Sequence, residues 1–179
     1  MSKKIVYLLI IIPLFIAGCS SGTGSTKNSE SSSVGVDNKF LANEEKDTDN
    51  FIGEKGTEMK ALGSTIIIDE ALVDNNDIHY FNYFSKTKNK TIYFFVIKAS
   101  DCTYRVAANA CEVCYGAKKG FTQVGDLIKC NNCGVTYSKD RIALDKGGCN
   151  PGPISSNGKV ENEKLIIEVS QVEGVANLF

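Results

Sequence analysis

The chain has 179 residues, 20 basic against 21 acidic side chains, a single histidine and a formal charge of −1, which excludes a nucleic-acid partner held by a basic surface. With 42 % hydrophobic residues it is too apolar to be disordered throughout, and its seven cysteines make sulfur chemistry the first feature to explain.

The first nineteen residues read as an address. Lys3 and Lys4 give a positive start, and Ile5 to Ile16 form an apolar run of twelve broken only by Pro13. Twelve is short for crossing a bilayer and suits the core of a secretory signal. The ending Ile16-Ala17-Gly18-Cys19 resembles a bacterial lipobox, which implies a lipoprotein signal peptide at residues 1–18, cleavage before Cys19 and lipid on that cysteine. An uncleaved N-terminal anchor is the alternative. Either would tether the bulk of the chain to the cell envelope, on the extracytoplasmic face of a bacterial membrane. Loss of Lys3 and Lys4 leaves 18 basic and 21 acidic residues, a charge near −3.

Residues 19–50 are dominated by Ser, Thr, Gly, Asn and charge, with Phe40-Leu41 the only apolar pair. Such a segment buries too little surface to offset its conformational entropy, so it reads as a flexible, disordered tether with a reach of roughly 30 Å. A short helix over residues 40–46 has no further support. Residues 51–179 are long enough for one domain with its own core.

In that domain the apolar residues read as strands at Thr65–Ile68, Ile78–Phe84, Thr91–Ile97, Tyr104–Ala108 and Lys164–Val169, short and rich in β-branched and aromatic types. Asp74-Asn75-Asn76-Asp77, Lys88-Asn89-Lys90 and Ser156-Asn157-Gly158 punctuate them. Along Thr91–Ile97 both faces are apolar, so this strand is expected at the centre of the core, covered on both sides. Its Tyr and Phe residues read as packing. No segment of useful length has helical period, so the fold class is mostly β.

Cys111/Cys114 and Cys130/Cys133 are two C-x2-C pairs with fifteen residues between them, and Cys149 follows in the run GGCNPGPI. Each C-x2-C turn presents two sulfurs on one side of a tight knuckle, and two facing knuckles supply four soft ligands for zinc, iron or an iron-sulfur cluster. Gly134, directly after Cys133, is expected at positive φ, letting backbone N–H groups turn toward sulfur. The competing reading is a disulfide framework or a dithiol redox pair, since six cysteines remain after Cys19. The spacing leaves Cys149 to ligate, cap or bridge, and Cys102 reads as a small turn or buried thiol. Between Cys111 and Asn150, six basic residues face four acidic ones, an excess that suits an anionic sulfur site. His79, alone in an early strand, reads as a partly buried strand residue.

The order of strands, first cysteine loop, hairpin, second cysteine loop, Gly-Pro segment and closing strand is similar to the Rieske iron-sulfur domain, which implies an antiparallel β-sandwich with two metal loops. A Rieske centre takes one cysteine and one histidine from each loop, and here every candidate is cysteine. The runs TIYFFVIKASD, ACEVCYGAKKG, CNNCG and GGCNPGPI, in that order, resemble the FtrD-like membrane iron-sulfur family from about Ile66 to Phe179. The resemblance implies that Cys111, Cys114, Cys130, Cys133 and Cys149 are the metal positions, with iron or an iron-sulfur cluster as cofactor. It also implies a membrane redox or metal-transport partner, because relatives occur as extracytoplasmic parts of multi-span proteins near iron-transport components.

Three functions fit: an electron-transfer or redox module, possessing iron and serving a membrane partner in iron transport; a binding module stapled by zinc; and a thiol-disulfide protein using one C-x2-C pair. No Ser/His/Asp set, phosphate-cradling glycine loop or framed carboxylate pair points to a stand-alone enzyme. The expectation is a lipid-anchored carrier.

Overall fold

The computed structural model describes residues 50–179. The leader, Cys19, the tether and the segment at 40–46 lie outside the described residues, apart from Asn50 at the tether's end.

Eleven strands and two single-turn helices build the domain. The central sheet contains β1 (Thr57–Met59), β3 (His79–Ser85), β4 (Lys90–Lys98), β5 (Tyr104–Ala108) and β9 (Pro153–Ser155), in the order β1-β3-β4-β5-β9. Its pairings are antiparallel except β1 with β3. A second antiparallel sheet joins β2 (Thr65–Asp69), β11 (Lys164–Glu168) and β10 (Lys159–Glu161), and a third joins β6 (Phe121–Val124), β7 (Leu127–Cys130) and β8 (Thr136–Ser138). The helices, α1 (Glu70–Val73) and α2 (Val169–Glu173), are only corners after β2 and β11. Among the described residues no helix is long and apolar enough to cross a membrane.

Seven consecutive residues of β4, Thr91 to Ile97, are buried. Alternation along a strand sends neighbours to opposite faces. Ile92, Phe94 and Val96 accordingly pack with Ile66 and Ile68 of β2, Leu165 and Ile167 of β11, and Val172 of α2. Phe95 and Ile97 point the other way, into a smaller core with Phe121, Ile128, Ile142, Cys111 and Cys130. Each buried side chain of this size stabilises the fold by roughly 1.5–3 kcal/mol. The two-faced strand expected from Thr91–Ile97 is thus the wall between the structural core and the cysteine core.

Near the start of the described residues, the Phe51 ring stacks on Tyr93 at 4.2 Å, with Phe179 meeting Tyr93 edge-on at 5.8 Å. The strand β1 and the short strands β8 to β10 are additional to the five read from the sequence, while β6 and β7 form the hairpin expected between the cysteine loops. The hairpin β6–β7 separates the two cysteine loops.

Candidate metal centre

The first knuckle leaves β5 through Asn109 and Ala110. The Tyr115 N–H donates to the Cys111 carbonyl at 3.0 Å, and the Cys114 N–H donates to Cys111 Sγ at 3.2 Å. The second knuckle repeats this geometry at the end of β7: the Gly134 N–H donates to the Cys130 carbonyl at 2.9 Å, and the Asn132 and Cys133 N–H groups donate to Cys130 Sγ. The chain then turns back through Gly134, at φ +78°, so that the Cys130 N–H reaches the Val135 carbonyl at 2.9 Å. Positive φ makes glycine the residue for that position. The first knuckle runs instead into a 3-10 turn, Tyr115–Ala117, closed by Lys118 at φ +53°.

Cys149 arrives from the far side. Gly147 and Gly148 both have positive φ, and the following Pro151 and Gly152 are buried. The Gly152 N–H donates to the Ala110 carbonyl at 3.0 Å and its carbonyl accepts from Ala108 N–H at 2.7 Å. This backbone clasp lays the GGCNPGPI run beside the residues leading into Cys111.

Three loops therefore deliver five sulfurs to one place. Those of Cys111, Cys114 and Cys130 lie within 4.8 Å of one another, and so do those of Cys114, Cys133 and Cys149. Cys114 belongs to both sets and its sulfur is 3.9 Å from that of Cys149. All five are free cysteines. Cys111 and Cys130 are 1 % and 2 % exposed, Cys114 and Cys149 are half-buried, and Cys133 faces solvent.

This environment separates the sulfurs chemically. The Val135 N–H, with the Cys149 and Cys130 thiols, lowers Cys133 to about 7. Burial pushes Cys130 up to about 11 and raises Cys111 as well. Cys149 is raised to about 12, first by its hydrogen bond with Cys133 and then by burial. Backbone and thiol hydrogen bonds thus favour the thiolate at exposed Cys133, while burial disfavours it at Cys111 and Cys130.

Several asparagines that sequence reading did not single out hold the site. Asn109 is fully buried; its Oδ1 accepts from Phe121 N–H at 2.7 Å and its Nδ2 donates to the Glu54 carbonyl at 2.9 Å. Phe121 is paired with Cys130, so this side chain connects the root of the first knuckle to the strand that carries the second. Asn131 donates to the Lys119 carbonyl at 2.9 Å and accepts from the Thr122 hydroxyl at 2.8 Å. Asn132 Nδ2 lies 3.5 Å from Cys114 Sγ, reaching from one knuckle to the other. The sequence signal was an asparagine shortly before the first knuckle and two inside the second, which also describes an ordinary loop.

Among the described residues, one further cysteine and the histidine lie outside this cluster. Cys102 sits in a left-handed turn, φ +64°, between β4 and β5, but it is exposed and disulfide-bonded, not the buried thiol expected from the sequence, and it belongs to neither sulfur set. His79 is half-buried on β3, its Nε2 hydrogen-bonded to Asn75 Oδ1 at 2.8 Å, and burial lowers its pKa. Part of the positive excess is structural: Lys139 is buried and pairs with Asp126 at 2.9 Å, while Arg141 Nε donates to Asp145 at 3.0 Å. Val113, Tyr115 and Val135, next to the knuckles, are exposed apolar residues.

Residues 73–179, more than half of the chain, match the family described as membrane iron-sulfur containing protein FtrD-like. The chain belongs to the FtrD-like family. Neither a curated protein nor a solved structure matches it. The FtrD-like match begins at Val73, after β2, yet β2 pairs with β11 inside the matched region and completes its sheet. The donor set fits the group the family description names: five soft sulfurs without a histidine, three of them accepting backbone N–H groups that stabilise thiolate charge.

Proposed function

We propose that this FtrD-like protein is a lipid-anchored, extracytoplasmic carrier that binds iron or an iron-sulfur centre through Cys111, Cys114, Cys130, Cys133 and Cys149 and serves a membrane redox or iron-transport partner. The reading rests on one observation above all, the meeting of five free sulfurs from three separate loops. Bound iron supplies a one-electron couple, and all-thiolate ligation favours its low-potential end. The protein's own residues do the rest. Phe121, Ile128 and Ile142 keep water from Cys111 and Cys130, the knuckle N–H groups offset sulfur charge, and Cys133 marks the open side where a partner approaches. Val113, Tyr115 and Val135 give that side apolar contact surface.

Lipidation at Cys19 and a tether over residues 19–50 would keep the domain within reach of its partner in the envelope. A thiol-disulfide enzyme is disfavoured because Cys111 and Cys114 lead into a 3-10 turn of three residues, Tyr115–Ala117, without the helix N-terminus that activates such a pair. The test is purification of the full chain without oxygen, followed by visible absorption and analysis for iron, zinc and acid-labile sulfide. A coloured iron species that is lost in Cys130→Ser supports the proposal. A colourless zinc protein, or one without metal, overturns it. Membrane fractionation of Cys19→Ala tests the anchor, with release from the membrane as the expected result.

A further inference from the structure

Four sulfurs around a single tetrahedral ion would all lie about 3.8 Å apart, given metal–sulfur bonds of about 2.3 Å. The five sulfurs here are arranged differently. Two triads, Cys111/Cys114/Cys130 and Cys114/Cys133/Cys149, each lie within 4.8 Å, with Cys114 common to both, and the Cys130 and Cys133 thiols also interact with each other. A sulfur triangle with edges of about 4 Å has its centre about 2.3 Å from each corner, an ordinary metal–thiolate distance. We infer that the cysteines form two metal positions, an inner one at the first triad and an outer one at the second, with the Cys114 thiolate shared between two soft divalent ions. This rests on the metal-binding reading above and deepens it.

Charge and placement support the division. Five thiolates around one divalent ion leave a formal charge of about −3, whereas two ions leave about −1, a smaller burden for a half-buried site. A thiolate has enough lone pairs to bind two cations, and Cys114 is the residue the geometry puts between the triads. Asn132 Nδ2, 3.5 Å from that sulfur, adds a donor from the opposite knuckle. The two positions also differ in access. Cys111 and Cys130 bury the inner one against Phe121 and Ile128, while Cys133 opens the outer one to solvent. The inner ion is therefore retained and the outer ion exchanges, a division suited to a protein that holds one metal while passing on another.

The test is a cobalt(II) titration of the full chain, purified without oxygen, reduced and stripped by chelator. Sulfur-to-cobalt absorption is expected to saturate at two equivalents in the unaltered protein and at one in Cys149→Ser and in Cys133→Ser, which alter the accessible side and are checked for folding by circular dichroism. The electron paramagnetic resonance signal of the first cobalt should fall as the second binds, because a shared thiolate couples the spins. A chelator should then remove one equivalent at least tenfold faster than the other. Saturation at one equivalent in the unaltered protein overturns the inference while leaving the proposed function intact. Two equivalents with additive resonance signals overturn the sharing of Cys114. Failure to bind any cobalt overturns both readings.

Discussion

Replacing Asn109 with alanine tests whether the site is held from behind. The side chain is fully buried and makes two hydrogen bonds, 2.7 Å from Phe121 N–H and 2.9 Å to the Glu54 carbonyl. Glu54 is exposed, so its carbonyl can turn to water, but Phe121 is buried and its N–H would be left without a partner. An orphaned buried donor costs about 1–3 kcal/mol, and the lost bond and small void add about 1 kcal/mol more, giving a total of about 3 kcal/mol. For a domain of this size that lowers the melting temperature by about 10 °C. The assay is urea denaturation of the stripped, reduced protein, with Asn82→Ala as control. Asn82 makes comparable amide contacts, to the Lys55 and Gly56 carbonyls, but at a partly exposed position where water substitutes, so its loss should stay below about 1 kcal/mol. Cobalt affinity should fall in Asn109→Ala alone, because the Phe121–Cys130 pairing shifts with it. If the two variants lose the same stability, or Asn109→Ala loses less than about 0.5 kcal/mol, the reasoning is wrong.

Gly120→Ala should act through the same strut: its Cβ would stand 2.5 Å from Asn109 Oδ1 at a φ of +64°, so the double variant with Asn109→Ala should cost clearly less than the sum of the singles in a denaturation cycle. Gly125→Ala has the same sign of φ, +61°, but open space around it, and should cost only about 1 kcal/mol by the same measurement. Burial, with the charge of Glu54, pushes the Tyr80 hydroxyl up to about 12 while it donates to the Phe121 carbonyl at 3.0 Å. A raised pKa stabilises the fold below the ordinary value of 10 and the effect is lost as pH climbs toward 12, so Tyr80→Phe should flatten that part of the stability curve. At the acid end, Lys98 holds the Asp74 carboxyl below its usual range against an opposing burial effect, with help from Tyr104. The stability this contributes is present above pH 3.8 and lost below it, and Asp74→Asn should weaken that decline in acid titrations followed by circular dichroism.

Much of the scaffold was legible because β-branched and aromatic runs mark strands wherever burial is dense. Thr91–Ile97 carried the most information: apolar on both faces, it had to be covered twice, and it separates the two cores. The knuckles were legible because C-x2-C encodes a tight turn directly, with Gly134 reinforcing the second. What escaped depends on contacts between distant residues. The strands β6, β7 and β8 are three or four residues long and half polar, so the hairpin between the cysteine loops was expected only from the Rieske-like order of elements, and pairing, not composition, defines these strands. The parallel edge strand β1 has no apolar alternation at all. The approach of Cys149 to Cys114 follows from the Gly152 clasp onto Ala108 and Ala110, which no spacing rule contains. Asn109 looks like any loop asparagine until its burial is seen.

The arrangement also explains why the cysteine core can be open on one side without loosening the fold. The larger core, between the central sheet and the β2/β11 sheet, contains none of the five sulfurs. Losing metal should therefore disturb the third sheet and the loops before the rest, a pattern that amide hydrogen exchange resolves as faster exchange at Ile128 and Cys130 than at Phe94 and Val106.

The most direct measurement is the iron K-edge absorption fine structure of the full chain isolated without oxygen. The expected result is a first shell made of sulfur alone at about 2.3 Å, consistent with thiolate ligands. A first shell of oxygen or nitrogen, or no iron to measure, would contradict it.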